Sequence, residues 1–132
     1  MSNLIAVIDD SQTVRKIIET CLKRESYQVI TFNDGITALR HFLGEEQAPT
    51  PDLVFLDIEL PYIDGYQVVR YLKTRSTFVH TTFVMISRHS GVVDRLKARL
   101  AGADSYLIKP MPSQAILTIV QQHLDTLVSE IL

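Results

Sequence analysis

The hydrophobic pattern of the chain alternates between short apolar runs and longer stretches in which apolar residues recur at helical spacing. The short runs predict five β-strands, at positions 4–9, 27–32, 53–57, 82–87 and 105–108. The first, third and fourth runs are almost wholly apolar, which is typical of strands that are covered on both faces. The longer stretches predict five helices, at positions 11–24, 35–43, 64–75, 91–101 and 112–131.

Strands that alternate with helices indicate a doubly wound α/β domain, in which a parallel sheet has helices on both faces and right-handed crossovers. The chain has 132 residues, a length that fits one domain, and we expect that domain to span residues 1–124. The last predicted helix carries more apolar residues than one buried stripe needs. Residues 125–132 are therefore expected either to extend past the domain towards a partner or to form a frayed helix end.

The composition excludes several classes of function. The formal net charge is −2, so neither direct nucleic-acid binding nor membrane binding is indicated. No apolar run approaches the roughly 18 residues of a membrane span, and no basic segment precedes the first apolar run as it does in a signal peptide. We therefore expect a cytoplasmic protein. The one cysteine, Cys21, falls among apolar residues at helical spacing and is predicted to be buried.

Acidic residues lie at the carboxyl ends of two predicted strands. Asp9 and Asp10 end the first strand, and Asp57 ends the third. The carboxyl ends of parallel strands share one edge of the sheet, where open α/β folds bind ligands. Three carboxylates at that edge raise one another's pKa unless a cation neutralises them. Mg2+ suits such a site because it takes few protein oxygens and keeps several waters.

Asp57 is the candidate nucleophile, because a carboxylate can form a covalent acyl phosphate. Lys109 follows the last strand and could place a point charge beside a phosphate at the same edge. Ser87 ends the fourth strand, and its hydroxyl could donate a hydrogen bond to a phosphoryl oxygen. Ordinary alternatives exist for each residue type: the acidic pair could cap a helix, the lysine could be merely exposed, and the serine could be a cap or loop residue.

Together these motifs resemble the receiver domain of two-component response regulators, and the likeness covers nearly the whole chain. The matching segments are VIDDS at 7–11, PDLVFLD at 51–57 running on to Pro61 and Asp64-Gly65, MIS at 85–87, AGADSYL at 101–107, and Lys109-Pro110. Each segment is weakly specific alone, whereas their order and spacing together are highly specific. The sequence of residues 87–110 is similar to that of stand-alone regulators of the chemotaxis and twitching-motility type.

The resemblance implies a flavodoxin-like fold with five parallel strands in the order 2-1-3-4-5. It implies that Asp57 is the phosphoacceptor. It also implies that Mg2+ is held by Asp57 with Asp9 or Asp10, or with both through water, and by the backbone carbonyl of Glu59. The expected cofactor is therefore Mg2+.

Other residues are implied to respond to the phosphoryl group. Ser87 and Lys109 would contact it, and the Lys109–Pro110 peptide would be cis. Tyr106 would be a switch whose ring turns inward when Ser87 moves towards the phosphate. Without the resemblance, an aromatic residue on a short strand is most often a packing residue.

Two residues depart from the usual family pattern and are candidates for modulating access to the site. Glu59 adds a carboxylate just past Asp57, which could alter how water reaches the acyl phosphate or could simply be solvated. Arg88 follows Ser87 at a position where the family usually has a small residue. Its guanidinium could narrow the approach to Asp57, attract phosphate or point to solvent.

These features predict a single-domain response regulator that accepts a phosphoryl group from a sensor histidine kinase or phosphotransfer protein. Phosphorylation would remodel the face made by the fourth helix, fifth strand and fifth helix, where an output protein or a second copy of the chain would bind. No DNA-binding module follows Leu132, so output by protein contact is expected unless the chain is excised from a larger regulator. Apart from its own phosphorylation and dephosphorylation, no enzyme activity is expected.

Other classes of protein share some of these features. A receiver that binds partners without phosphorylation is opposed by the intact chemical positions, and only Arg88 supports it. A haloacid-dehalogenase-type phosphatase pairs its nucleophile with an acidic residue two positions on, as Asp57 and Glu59 superficially do. Its nucleophile would follow the first strand, however, and no cap domain is available here. Dinucleotide binding fails because Asp-Asp-Ser-Gln-Thr replaces the glycine-rich turn.

Overall fold

Five strands and five helices alternate along the chain in the computed structural model, which describes residues 3–44 and 48–124. The strands are β1 (Leu4–Ile8), β2 (Gln28–Phe32), β3 (Leu53–Asp57), β4 (Thr82–Ser87) and β5 (Ser105–Ile108). The helices are α1 (Gln12–Arg24), α2 (Gly35–Gly44), α3 (Gly65–Lys73), α4 (Val92–Ala101) and α5 (Ser113–Leu124). A short 3-10 helix, Ser76–Phe78, lies between α3 and β4.

All the strands are parallel and form one sheet in the order β2-β1-β3-β4-β5. This order confirms the doubly wound, flavodoxin-like fold that the resemblance implied. The central strands β1, β3 and β4 are almost completely buried, which explains their nearly continuous apolar sequence. The edge strands β2 and β5 are mostly half-buried. The carboxyl ends of β1, β3 and β4 therefore meet in the middle of one sheet edge.

Two apolar layers cover the two faces of the sheet. The first joins side chains of β1, β3 and β4 to α2, α3 and α4, with these fully or nearly fully buried members from the helices: Ala38, Phe42, Val68, Val69, Leu72 and Ala98. The second joins the other face to α1 and α5 through Ile18, Cys21, Leu22, Ile116 and Val120. Because packing on both faces fixes the strands, the residues just past their carboxyl ends have well-defined positions.

The predicted helix bounds agree with the structure to within two residues wherever the structure describes those bounds. Helix α3 begins with the expected cap, since Asp64 and Gln67 form a reciprocal capping box. The helix ends at Lys73, two residues before the predicted end. The Thr74 hydroxyl donates to the carbonyl of Tyr71 at 2.6 Å, and the chain then turns to bury Phe78 in the core.

The last helix is described as far as Leu124. The predicted extension at residues 125–132 lies outside the described residues. None of the described helices combines the length and apolar character needed to cross a membrane. Cys21 is 7% exposed, as predicted, and burial raises the pKa of its thiol.

Candidate functional site

The carboxyl ends of β1 and β3 bring three aspartates together. Ile8 is paired with Leu56 in the parallel register, so the next residue on each strand, Asp9 and Asp57, reaches the same edge of the sheet. Carboxylate oxygens of Asp9, Asp10 and Asp57 lie within 4.8 Å of one another. Asp9 is fully buried and Asp57 is 5% exposed, whereas Asp10 is exposed. The acidic cluster expected from the sequence is therefore present.

Asp9 is held by its neighbours but keeps one oxygen for a further ligand. Its Oδ1 accepts a hydrogen bond from the Ser11 backbone N–H at 2.8 Å, and its carbonyl oxygen accepts one from the Arg15 guanidinium. Its Oδ2 lies 2.7 Å from Lys109 Nζ, yet it accepts no hydrogen bond of acceptable geometry among the described residues. A buried oxygen in this state needs another partner. With two carboxylates beside it, the oxygen fits a hard divalent cation such as Mg2+.

Lys109 connects the end of β5 with both buried aspartates. Its backbone N–H donates to the Ser87 carbonyl at 2.7 Å, and its peptide bond to Pro110 is cis, as the resemblance implied. Its Nζ lies 2.7 Å from Asp9 Oδ2 and 2.9 Å from Asp57 Oδ2. Burial lowers the pKa of Lys109, but the close contacts and negative charges of Asp9 and Asp57 outweigh burial and raise the pKa overall. Lys109 is therefore a fixed cation between them.

The carboxylate of Asp57 is bound on both oxygens. Oδ1 accepts a hydrogen bond from the Glu59 backbone N–H at 3.0 Å, and Oδ2 accepts one from Lys109 at 2.9 Å. Burial raises the pKa of Asp57, and the charge of Asp9 raises it further. The hydrogen bonds from Lys109 and Glu59 oppose this rise without cancelling it. A charged Asp57 therefore destabilises the fold, and a bound cation would relieve that cost.

Replacing Asp57 by asparagine is expected to stabilise the metal-free protein at neutral pH. The raised pKa means that the folded protein holds the Asp57 proton more tightly than the unfolded chain, so stability falls as pH rises from the ordinary pKa of 3.8 through the folded pKa. Asparagine does not titrate, and Lys109 keeps its contact with Asp9. The gain should lie at the low end of the roughly 1–4 kcal/mol found when whole buried ion pairs are replaced by uncharged side chains, because only one charge is removed here. It should vanish towards pH 3.8.

Urea denaturation with a chelator, over a series of pH values, measures this gain. Asp52→Asn is the matched control, because Asp52 is exposed and its amide oxygen can still accept the hydrogen bond from the Leu4 backbone N–H. A gain at Asp57→Asn that did not change with pH would show that it does not come from the buried charge.

A cavity of about 480 Å³ opens beside Asp57. Its charged lining is contributed by Asp10, Asp57, Glu59, Arg88 and Lys109, and its apolar lining by Val14, Ile17, Pro110 and Met111. Ile17, on α1, is 47% exposed although it is a large apolar side chain. The cavity thus combines charged groups on one part of its lining with an apolar wall on another.

Both candidate access residues lie at this cavity. Arg88 is exposed and forms part of the lining. The Glu59 side chain also lines the cavity, and its Oε1 is 2.5 Å from Nε2 of His89. Sequence reasoning missed this contact. The two residues are 30 positions apart and follow different strands, so no local spacing could have revealed it.

Ser87 and Tyr106 are connected through the backbone of His89. Ser87 is 1% exposed, and its Oγ accepts a hydrogen bond from the His89 N–H at 3.1 Å. The Tyr106 hydroxyl donates to the His89 carbonyl at 2.8 Å. The Arg95 guanidinium lies 5.7 Å from the centre of the Tyr106 ring. The two residues expected to act as a switch are therefore joined by one loop residue.

The sheet order, the three clustered aspartates and the lysine beside them define a class of doubly wound α/β domain with an acidic site at the carboxyl edge of the sheet. Sequence comparison identifies the family. The chain belongs to the response regulator receiver domain family, whose model matches residues 5–121. It is 38% identical over 122 residues to Protein PilG of Pseudomonas aeruginosa, a match that covers 92% of this chain and 87% of that protein. The resemblance inferred from the sequence is thereby confirmed.

Longer regulators and solved structures also match. The chain is 32% identical to the transcriptional regulatory protein YxdJ of Bacillus subtilis over 122 residues, which is 92% of this chain but only 50% of that protein. The structure of the chemotaxis response regulator CheY4 of Vibrio cholerae has a TM-score of 0.85 and 23% identity, and the match covers 94% of this chain and 100% of that one. The likeness to the CheY4 structure supports the fold.

Family membership defines the general role of the chain. It is a receiver domain of two-component signalling, which is a signalling module and not a conventional enzyme. Receiver domains generally bind Mg2+, and they interact with histidine kinases or phosphotransfer proteins and with output partners.

Proposed function

We propose that this receiver accepts a phosphoryl group on Asp57 from the phosphohistidine of a sensor histidine kinase or phosphotransfer protein. The observation that carries the proposal is the bridge from Lys109 Nζ to the two buried carboxylates of Asp9 and Asp57, beside an open cavity. In the reaction a carboxylate oxygen of Asp57 attacks phosphorus, the phosphorus–nitrogen bond breaks, and the departing imidazole takes up a proton.

Charge neutralisation is the main task of the surrounding residues. Lys109 would donate to one phosphoryl oxygen, and Ser87, the residue after the partner of Asp57 in the β3–β4 register, would donate its hydroxyl to another. The Glu59 N–H keeps Asp57 Oδ1 in place, which holds the carboxylate in a fixed orientation. The same residues would serve the slow hydrolysis that resets the domain, in which water attacks the phosphorus of the acyl phosphate.

The donor set fits Mg2+. Asp9, Asp10 and Asp57 would hold the ion together with the backbone carbonyl of Glu59, and the unsatisfied Oδ2 of Asp9 supports this assignment. Bound there, Mg2+ would neutralise negative charge on the phosphoryl oxygens. We propose that the Glu59 side chain takes no part in this coordination, since it is engaged by His89.

An apolar helix face supports output through protein contact. Four large apolar side chains of α4 are more than half exposed: Val92, Val93, Leu96 and Leu100. Exposed apolar groups concentrated on one helix are typical of an interaction surface. We assign the output surface to α4, β5 and α5, where Tyr106 reports the state of the site and where a partner or a second copy of the chain would bind.

Incubation with acetyl phosphate tests the proposed chemistry directly. Intact-protein mass spectrometry is expected to show one added phosphoryl group on the wild type with Mg2+, and none with a chelator or in Asp57→Asn. Asp52→Asn, with its exposed carboxylate at the other end of β3, should be phosphorylated like the wild type. Phosphorylation of Asp57→Asn would refute the assignment. Failure of the wild type under every condition would instead favour a receiver that binds partners without phosphorylation.

Phosphorylation should also change hydrogen exchange at the proposed output surface. Because the switch is a shift between two populated states, amides of α4 and β5 should exchange at altered rates after addition of acetyl phosphate and Mg2+. Amides of α2 should not change, and Asp57→Asn should show no change anywhere. Unchanged exchange in α4 of a demonstrably phosphorylated protein would place the output surface elsewhere.

A further inference from the structure

His89 makes three contacts that lead to three different parts of the site. Its backbone N–H donates to Ser87 Oγ at 3.1 Å, and its carbonyl accepts from the Tyr106 hydroxyl at 2.8 Å. Its imidazole Nε2 is 2.5 Å from Glu59 Oε1. The Glu59 backbone in turn donates to Asp57 Oδ1 at 3.0 Å. A continuous chain of hydrogen bonds therefore runs from Asp57 through His89 to Tyr106.

Of the three His89 contacts, only the one to Glu59 is made by the His89 side chain; the other two are made by its backbone. It ties the segment after β4 to the segment after β3. The backbone pairing between these strands reaches the hydrogen bond from the Ile58 N–H to the Ile86 carbonyl, at 3.1 Å, and Glu59 and His89 both lie beyond it. Without it, the His89 backbone would still contact Ser87 and Tyr106, but the position of Glu59 would no longer bear on either of them. The His89–Glu59 contact thus connects the loop beside the phosphoacceptor with the loop that holds Tyr106.

We propose that His89 is a positioning residue that couples the Glu59 loop, and through it the state of Asp57, to the orientation of Tyr106. This inference rests on the proposed function, in which Asp57 is the phosphoacceptor and Tyr106 is the switch. If Ser87 turns towards a phosphoryl oxygen, the His89 N–H loses its acceptor and the His89 loop is released on that side. The imidazole contact then determines whether the loop stays with Glu59 or moves with Tyr106.

The alternative is that His89 and Glu59 form an isolated surface pair with no influence on the switch. Their side chains are 60% and 53% exposed, and an exposed pair shifts an equilibrium by roughly fivefold at most. A shift of that size is enough to change the populations of two states that differ by little in free energy. The two possibilities therefore differ in whether the effect reaches Tyr106, since Glu59 makes no hydrogen bond to Tyr106 among the residues that the structure describes.

Fluorine NMR of unphosphorylated protein labelled with 3-fluorotyrosine tests the coupling at one fixed pH. The chain has five tyrosines, and Tyr106→Phe assigns the signal of Tyr106. We expect Glu59→Ala and His89→Ala each to shift that signal, and the double variant to shift it no further than the larger single shift. His89→Gln, which can still donate a hydrogen bond to Glu59, should restore the wild-type position. His80→Ala, an exposed histidine just before β4, is the matched control.

Two outcomes would overturn the inference. If Glu59→Ala leaves the Tyr106 signal unchanged, no influence passes through the imidazole. If the double variant shows the sum of the two single shifts, His89 and Glu59 act independently. The fluorine NMR measurement needs no phosphoryl donor, so its result does not depend on phosphorylation. If the protein took up no phosphoryl group from acetyl phosphate, the proposed function would be refuted, whereas any coupling measured by NMR would still stand.

Discussion

Replacing Lys109 by alanine is expected to lower the free energy of unfolding of the metal-free protein by about 3 kcal/mol, the lower end for breaking a buried ion pair. The physical reason is that Lys109 Nζ is the cation within 3 Å of both Asp9 and Asp57, at 2.7 and 2.9 Å. Without it, two buried carboxylates face each other uncompensated. Chemical denaturation in the presence of a chelator measures the loss.

Mg2+ should restore much of the lost stability, because the ion would replace the missing positive charge beside the carboxylates. Its stabilising effect should therefore be larger in Lys109→Ala than in the wild type. Even with Mg2+, the rate of phosphoryl uptake from acetyl phosphate should stay about 100-fold below that of the wild type. Enzymes lose rate by a similar factor when one hydrogen-bond donor to the charge of the transition state is removed. Restored uptake would mean that Lys109 supports the fold and not the phosphoryl group.

Lys97→Ala is the matched control for this change. Lys97 is exposed on α4, and its removal should alter stability by no more than about 0.5 kcal/mol, as for other surface substitutions. If Lys109→Ala were as stable as Lys97→Ala in the absence of metal, the ion pairs of Lys109 would contribute little to stability. Another group would then have to offset the cost of burying the Asp57 carboxylate.

Replacing Gly65 by alanine is expected to be at least as disruptive, by about 3 kcal/mol, the upper end for overpacking. A Cβ at residue 65 would lie 2.4 Å from the carbonyl oxygen of Asp57 and 2.9 Å from Cα of Ile58. Both are backbone atoms, so no side-chain rotation can make room. The segment after β3 would have to move, and Asp57 with it. The midpoint temperature of thermal unfolding and the rate of phosphoryl uptake should therefore both fall.

Gly44→Ala serves as the control, because no atom of the described residues beyond its chain neighbours and its own helix backbone lies within 4 Å of a Cβ at residue 44. At the end of α2 an alanine should be neutral or stabilising by about 0.5–1 kcal/mol, since glycine loses more backbone freedom on folding. If Gly65→Ala matched Gly44→Ala in stability and kept full phosphoryl uptake, the close approach of α3 to Asp57 would not be needed to position the site.

Much of the fold could be predicted from the sequence because it depends on the pattern of apolar and polar residues within short segments. The continuous apolar runs at β1, β3 and β4 require burial on both faces, and the intervening helical periods require crossovers. The acidic cluster followed from the same argument, since Asp9, Asp10 and Asp57 end strands that share an edge. The order of the strands came from the family resemblance and not from periodicity. Helix α3 ends two residues earlier than predicted, at a point set by the Thr74 hydroxyl and the burial of Phe78, which helical spacing does not encode.

By itself, then, the sequence determined the class of fold, the strands that are buried and the chemical groups at their carboxyl ends, because each depends on the period and polarity of neighbouring residues. Only the tertiary structure decided which of those groups touch. The bridge of Lys109 to Asp9 and Asp57, the contact between His89 and Glu59, and the close approach of Gly65 to the Asp57 carbonyl join residues far apart in the chain or depend on backbone paths. Such contacts follow from the packing of whole elements, which no local pattern encodes.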